Sequence, residues 1–194
     1  MRRLALVPLL ILAFVLSACA TQDAGEDVTT QEETTLAVDE TIPVDNIPDL
    51  GAAEPLTELD GWLQTDIDSL DDLRGKVVIV QFWTFGCHNC KATLPYLQEI
   101  YADHQGEEFE IVGVHSPEFD YEKDPDSILE AADRLGVTWP IALDTSKHNF
   151  FEWQGSPAYW PRTYVLDREG RIRYDHIGEG GYDDLAETVA TLLG

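Results

Sequence analysis

The chain has 194 residues and carries 37 Asp and Glu against 12 Lys and Arg, a formal charge of −25. Nucleic acids and anionic lipid surfaces are held by clustered Lys or Arg, so this balance excludes both as binding partners. The acidity names no partner of its own and serves to keep the chain soluble.

Residues 1–18 read as a secretory signal peptide. Arg2 and Arg3 form its charged region, and residues 4–16 form an apolar core too short for a comfortable membrane span. It ends in Leu16-Ser17-Ala18-Cys19, which resembles the lipobox of bacterial lipoproteins. That resemblance implies that Cys19 is acylated, becomes the mature N-terminus, and ties the chain to the bacterial membrane by lipid alone. An ordinary cleaved signal with an incidental cysteine is the alternative. Residues 19–57 are expected to be a disordered acidic tether: between 21 and 56 there is no aromatic residue, Lys or Arg, and Pro43, Pro48 and Pro55 interrupt the chain. Residues 58–194 suffice for one compact domain, expected to be monomeric and extracytoplasmic, where disulfides form and persist.

Within that domain strands alternate with helices. Residues 76–82 form a β-branched strand, and residues 87–104 a helix with Leu94, Leu97 and Ile100 at helical spacing. A strand at 110–114 leads through a Pro- and Asp-rich loop into a helix at 126–135. A short strand at 140–143, a helical stretch at 147–153, and a strand at 162–167 come next. The turn 168–170 permits only a hairpin to a strand at 171–175, and a helix at 182–193 closes the chain. This order implies an α/β fold: a central mixed sheet, helices on both faces, and an antiparallel edge from the hairpin.

Cys87 and Cys90 form a C-x-x-C pair where the first strand gives way to its helix. A helix N-terminus offers unpaired N–H groups and partial positive charge, which favour a thiolate at Cys87. The thiolate attacks a disulfide, and Cys90, two residues further on, resolves the mixed disulfide that results. His88 either strengthens the thiolate as an imidazolium or is an exposed spacer. Zinc would need four ligands, and no second C-x-x-C or H-x3-5-H pair supplies them, so no metal or other cofactor is expected.

The domain resembles a thioredoxin fold, and within it the TlpA/ResA-type exported thiol-disulfide oxidoreductases. Trp83 four before Cys87, Lys91 after Cys90, and Pro95 five after Cys90 carry the resemblance. The stretches Trp83-Thr84-Phe85-Gly86-Cys87-His88-Asn89-Cys90, Gly113-Val114-His115-Ser116-Pro117-Glu118-Phe119 and Gly178-Glu179-Gly180 are similar to the exported thioredoxin-like domain of DipZ-type proteins, where it is fused to a CcdA-like membrane electron carrier. The resemblance implies that Pro161 is a cis-proline lying against the dithiol, with the Trp160 backbone free to pair with an extended substrate segment. It implies reduction of exported protein disulfides, apocytochrome c among them, with electrons from a CcdA-like donor. Thioredoxins carry a buried aspartate six residues before the first cysteine, where this chain has Gln81. The resemblance offers Glu118 instead, buried beside Cys90 as its proton acceptor; a solvated loop charge is the alternative.

Two other functions fit parts of the pattern. Thr84-Phe85-Gly86-Cys87 matches the T-x-x-C of a peroxiredoxin-like thiol peroxidase, although Val80 stands where such enzymes carry proline. A non-catalytic binding module on the same scaffold would not need the cysteines.

Overall fold

The computed structural model describes residues 46–106 and 108–194. The expected signal peptide, Cys19 and most of the tether lie outside the described residues. Six strands form one sheet: β1 (Trp62–Leu63), β2 (Val77–Trp83), β3 (Phe109–His115), β4 (Ile141–Leu143), β5 (Arg162–Leu166) and β6 (Ile172–Ile177). Four helices accompany them: α1 (His88–His104), α2 (Pro125–Leu135), α3 (His148–Gln154) and α4 (Tyr182–Leu193).

The strand order is β1-β4-β3-β2-β5-β6. β2 and β4 run parallel to the flanks of β3, whereas β5 and β6 pair antiparallel beyond β2 and β1 pairs antiparallel with β4. This is the thioredoxin-like α/β fold. β2 lies in the middle, and all seven of its residues are buried, six of them apolar and the seventh Gln81. Its alternate side chains serve two cores. Val77, Ile79 and Trp83 pack with Leu94 and Leu97 of α1, Ile128 of α2 and Val189 of α4. Val78, Val80 and Phe82 pack with Phe150 of α3 and Tyr164 of β5. Each such burial stabilises by roughly 1.5–3 kcal/mol relative to exposure.

Helix ends follow local chemistry. The Asp124 side chain caps α2 at the Ser127 N–H, Pro125 occupies the first turn, and Gly136 closes the helix at φ 70°. Pro95 lies inside α1 and cannot donate to the carbonyl of Lys91.

The packed domain begins earlier than residue 58. The Leu50 N–H bonds to the Ile172 carbonyl at 2.9 Å, the Ile172 N–H to the Gly51 carbonyl at 2.8 Å, and the Ala53 N–H to the Gly170 carbonyl at 3.0 Å. Arg171 pairs with Asp49 at 2.7 Å, and Ile47 is buried. Composition gauges what a segment can bury, but these residues are ordered by the otherwise open edge of β6, which takes their backbone groups. β1 was likewise invisible as a strand, being two residues long.

Candidate active site

β2 ends at Trp83, and a three-residue turn carries the chain into α1, whose N-cap is Cys87. The Cys87 N–H bonds to the Thr84 carbonyl at 3.3 Å, and the Cys87 Sγ accepts the Cys90 N–H at 3.1 Å. Both cysteines are free thiols. The Cys90 thiol beside it, together with the Cys90 and Asn89 N–H groups, brings the Cys87 pKa down to about 7, against burial and the charge of Glu118, which raise it. Cys90 is fully buried, and burial first, then Cys87, pushes its pKa up. The two sulfurs are thereby distinguished: a partly exposed thiolate former in front, a protonated thiol behind. His88 is exposed and holds no hydrogen bond among the described residues.

Trp160 and Pro161 stand across the turn. Their peptide bond is cis. The Trp160 indole stacks on Phe150 at 4.1 Å between centroids and donates Nε1–H to the Ser116 carbonyl at 2.9 Å. The Ser116 N–H in turn bonds to the Trp83 carbonyl at 3.0 Å, so this wall is tied to the strand that delivers the dithiol. Trp160, Phe85 and Cys87 pack against the core cluster that contains Cys90. Pro161 is buried, its carbonyl accepts the Gly178 N–H at 2.8 Å, and among the described residues the Trp160 N–H and C=O take no backbone partner.

Glu118 departs from the expectation. It is exposed rather than buried beside Cys90, because the loop after β3 turns its position outward; its charge still reaches Cys87. The buried carboxylate of this loop is Glu122, with no exposed surface. Its Oε1 accepts the Gly86 N–H at 2.9 Å, and its Oε2 accepts the Glu118 and Phe119 N–H groups at 2.7 and 2.9 Å. Nothing in the sequence separates Glu122 from the neighbouring Glu118, Asp120 and Asp124.

Two further buried polar groups border the dithiol. His115 lies with Nε2 3.3 Å from the Thr84 hydroxyl, stacked on Phe85 and edge-on to Trp83. Burial holds its pKa down at about 4 despite the charge of Glu122. Gln81 donates to the Thr93 hydroxyl at 2.8 Å, and that hydroxyl donates to the Cys90 carbonyl at 2.7 Å. The amide therefore braces the first turn of α1 where an acid would have exchanged protons.

This arrangement, a thioredoxin-like sheet presenting an activated cysteine over a buried one, defines a dithiol oxidoreductase. Residues 50–175 match the model of the AhpC/TSA family, and the chain belongs to it. It is 30% identical over 145 residues to the thiol-disulfide oxidoreductase YkuV of Bacillus subtilis, covering 72% of this chain and 95% of that protein. It is 37% identical over 148 residues to protein DipZ of Mycobacterium tuberculosis, covering 74% of this chain but only 21% of DipZ. A solved thiol-disulfide isomerase from Corynebacterium glutamicum superposes with a TM-score of 0.59 at 25% identity, covering 77% of this chain and 97% of that one. The protein is a thiol-disulfide oxidoreductase of the thioredoxin fold.

Proposed function

We propose that this protein is a lipid-anchored extracytoplasmic reductant that exchanges disulfides with exported proteins through Cys87 and Cys90. The observation that carries the reading is the contrast between a partly exposed Cys87 with a pKa near 7 and a fully buried Cys90 three residues on. At neutral pH much of Cys87 is thiolate. It attacks one sulfur of a partner's disulfide, the other partner sulfur leaves as a thiolate, and a mixed disulfide forms. Cys90 then loses its proton and attacks the Cys87 sulfur; the second partner thiolate leaves, the partner is reduced and the dithiol is oxidised.

Trp160 and Pro161 supply the platform. The unpartnered backbone of Trp160 suits an extended partner segment added as a strand. A CcdA-like membrane carrier as electron donor fits the resemblance to DipZ-type proteins, and apocytochrome c among the acceptors fits the resemblance to TlpA/ResA-type oxidoreductases. Export and acylation at Cys19 rest on the signal-like residues 1–19.

The peroxidase alternative needs Thr84 at the Cys87 sulfur. The Thr84 hydroxyl is instead fully buried and directed to His115. A non-catalytic module has no use for the lowered pKa of Cys87.

The test is the reduction potential of the dithiol together with reduction of a protein disulfide by the prereduced enzyme. A reductant's potential, near the roughly −270 mV of thioredoxin, with turnover abolished in Cys87→Ser, supports the reading. A potential near the roughly −120 mV of strong oxidants, or faster consumption of hydrogen peroxide than of disulfide, overturns it. Fractionation and intact-mass analysis check the address: lipid on Cys19 is expected, and an unmodified Cys19 in the soluble fraction contradicts it.

A further inference from the structure

Glu122 makes an arrangement that the thiol chemistry above does not use. Its carboxylate is wholly buried, yet it receives three backbone N–H donors from two different stretches of chain: Gly86, directly before the nucleophile, and Glu118 with Phe119, on the loop after β3. Such charge-assisted bonds are among the strongest a backbone makes, and a carboxylate offers acceptors at both oxygens.

A second observation points the same way. Gly86 does not have a positive φ, so it is not required for conformational freedom. A Cβ built there would stand 2.1 Å from Glu122 Oε1 and 2.6 Å from the Tyr121 hydroxyl. The turn and the carboxylate are fitted to each other without space for a methyl group.

From these contacts we infer that Glu122 is a positioning residue for the nucleophile, fixing the turn before Cys87 against the loop that carries Phe119 and Tyr121. That loop presents Phe119 and Tyr121 to solvent, stacked 5.7 Å apart, with Phe85 of the turn 5.9 Å from Tyr121. A partner protein reaching Cys87 meets this aromatic edge, so the clamp joins the surface a partner touches to the sulfur it reacts with.

The inference rests on Cys87 being the nucleophile, and its test separates the two ideas. Glu122 carries one negative charge behind the turn, so its removal by itself would make a thiolate easier to form. The groups that lower the pKa of Cys87, however, are Cys90 and the Asn89 N–H, which depend on the geometry of the turn. Glu122 holds that turn directly, through the bond its Oε1 accepts from the Gly86 N–H. Loss of geometry therefore outweighs loss of charge. Glu122→Gln places an amide NH2 among N–H donors and breaks at least one of the three bonds.

The measurement is the pH dependence of Cys87 alkylation by iodoacetamide, with kcat and KM for a protein disulfide recorded on the same preparations. Glu122→Gln should raise the apparent pKa of Cys87 above its wild-type value and slow alkylation at pH 7 by about threefold to tenfold. It should lower kcat more than it raises KM. Gly86→Ala, which displaces the carboxylate, should do the same, and the double variant should be no worse than the poorer single one. An unchanged alkylation profile in a folded Glu122→Gln, or fully additive effects of the two changes, overturns the inference. A structural role alone would lower the melting temperature and leave the profile in place. If Glu122→Gln does not fold, hydrogen exchange in the wild type decides: Gly86, Glu118 and Phe119 amides protected as a set support the clamp, and fast exchange at Gly86 refutes it. Failure of wild-type Cys87 to react at all would instead refute the nucleophile assignment.

Discussion

The two ends of the sheet are built on different principles. Where β2 and β3 finish, Thr84, His115, Ser116, Glu122 and Asp144 are all at most 1% exposed, and, apart from the His115 Nδ1, which has no partner among the described residues, their side-chain polar atoms are bound to backbone or to each other. At the opposite end charges lie in water: Arg74 pairs with Asp71, Arg168 with Glu108 and Arg171 with Asp49, every side chain at least 38% exposed. An open cleft there, lined by Leu70, Arg74, Leu166 and Arg168 among others, holds neither sulfur nor buried base. Space alone is a poor guide to chemistry in this molecule. Buried polar groups mark the working end, because each must be held in place to be tolerated at all.

That contrast can be broken by substitution. The largest effect is expected at Asp144, which accepts the Ser116 hydroxyl, the Asn149 and Phe150 N–H groups and the Asn149 side-chain amide. Asp144→Ala strands these buried donors and should cost about 3 kcal/mol or more in urea unfolding. A loss under about 1 kcal/mol would mean that the working end is not held by its polar groups.

His115 comes next, through pH. Its folded pKa of about 4 lies below the ordinary value of 6.5, so the unfolded chain binds the extra proton first as pH falls. Stability from this group is complete near pH 7 and is lost on acidification from about 6.5 to about 4, by roughly 3 kcal/mol in all. Unfolding free energies of the wild type and His115→Gln between pH 7 and 4 check this; the variant should show the shallower decline. Parallel curves would remove His115 from the account.

A smaller change is expected at Glu118. Its charge raises the Cys87 pKa from an exposed position, so Glu118→Gln should lower that pKa slightly and speed alkylation near pH 7. Slower exchange across the pH range would restore the buried role that the sequence suggested. Smallest of all is Arg168→Ala at the other end, expected to cost under about 1 kcal/mol and to leave both thiols unchanged. A shift in Cys87 reactivity from this variant would show that the two ends are coupled.

Much of the working end was legible because its signals are local. The C-x-x-C at a strand-to-helix junction announces itself within a few residues, as does, at the opposite end, the hairpin around Arg168-Glu169-Gly170; Trp160-Pro161 is placed by the family resemblance. Gln81 could be read as the loss of an acid, though not as a brace for Cys90 through Thr93. Glu122 was illegible because its burial depends on a loop returning to Gly86, 36 residues away in sequence. The order of residues 47–53 was missed for a related reason: it comes from β6 and the turn before it, more than a hundred residues further on. Long-range pairing of polar groups leaves no periodic trace.

Disulfide exchange by this protein turns on the unequal roles of two cysteines, and covalent trapping tests this most directly. Cys90→Ser and Cys87→Ser would each be incubated with disulfide-containing partner proteins, quenched with acid and analysed by mass spectrometry without reduction. Cys90→Ser should accumulate mixed disulfides through Cys87, whose sulfur is reachable and whose release then lacks the resolving thiol, while Cys87→Ser should trap few. Equal trapping by both variants, or adducts formed mainly through Cys90, would contradict it.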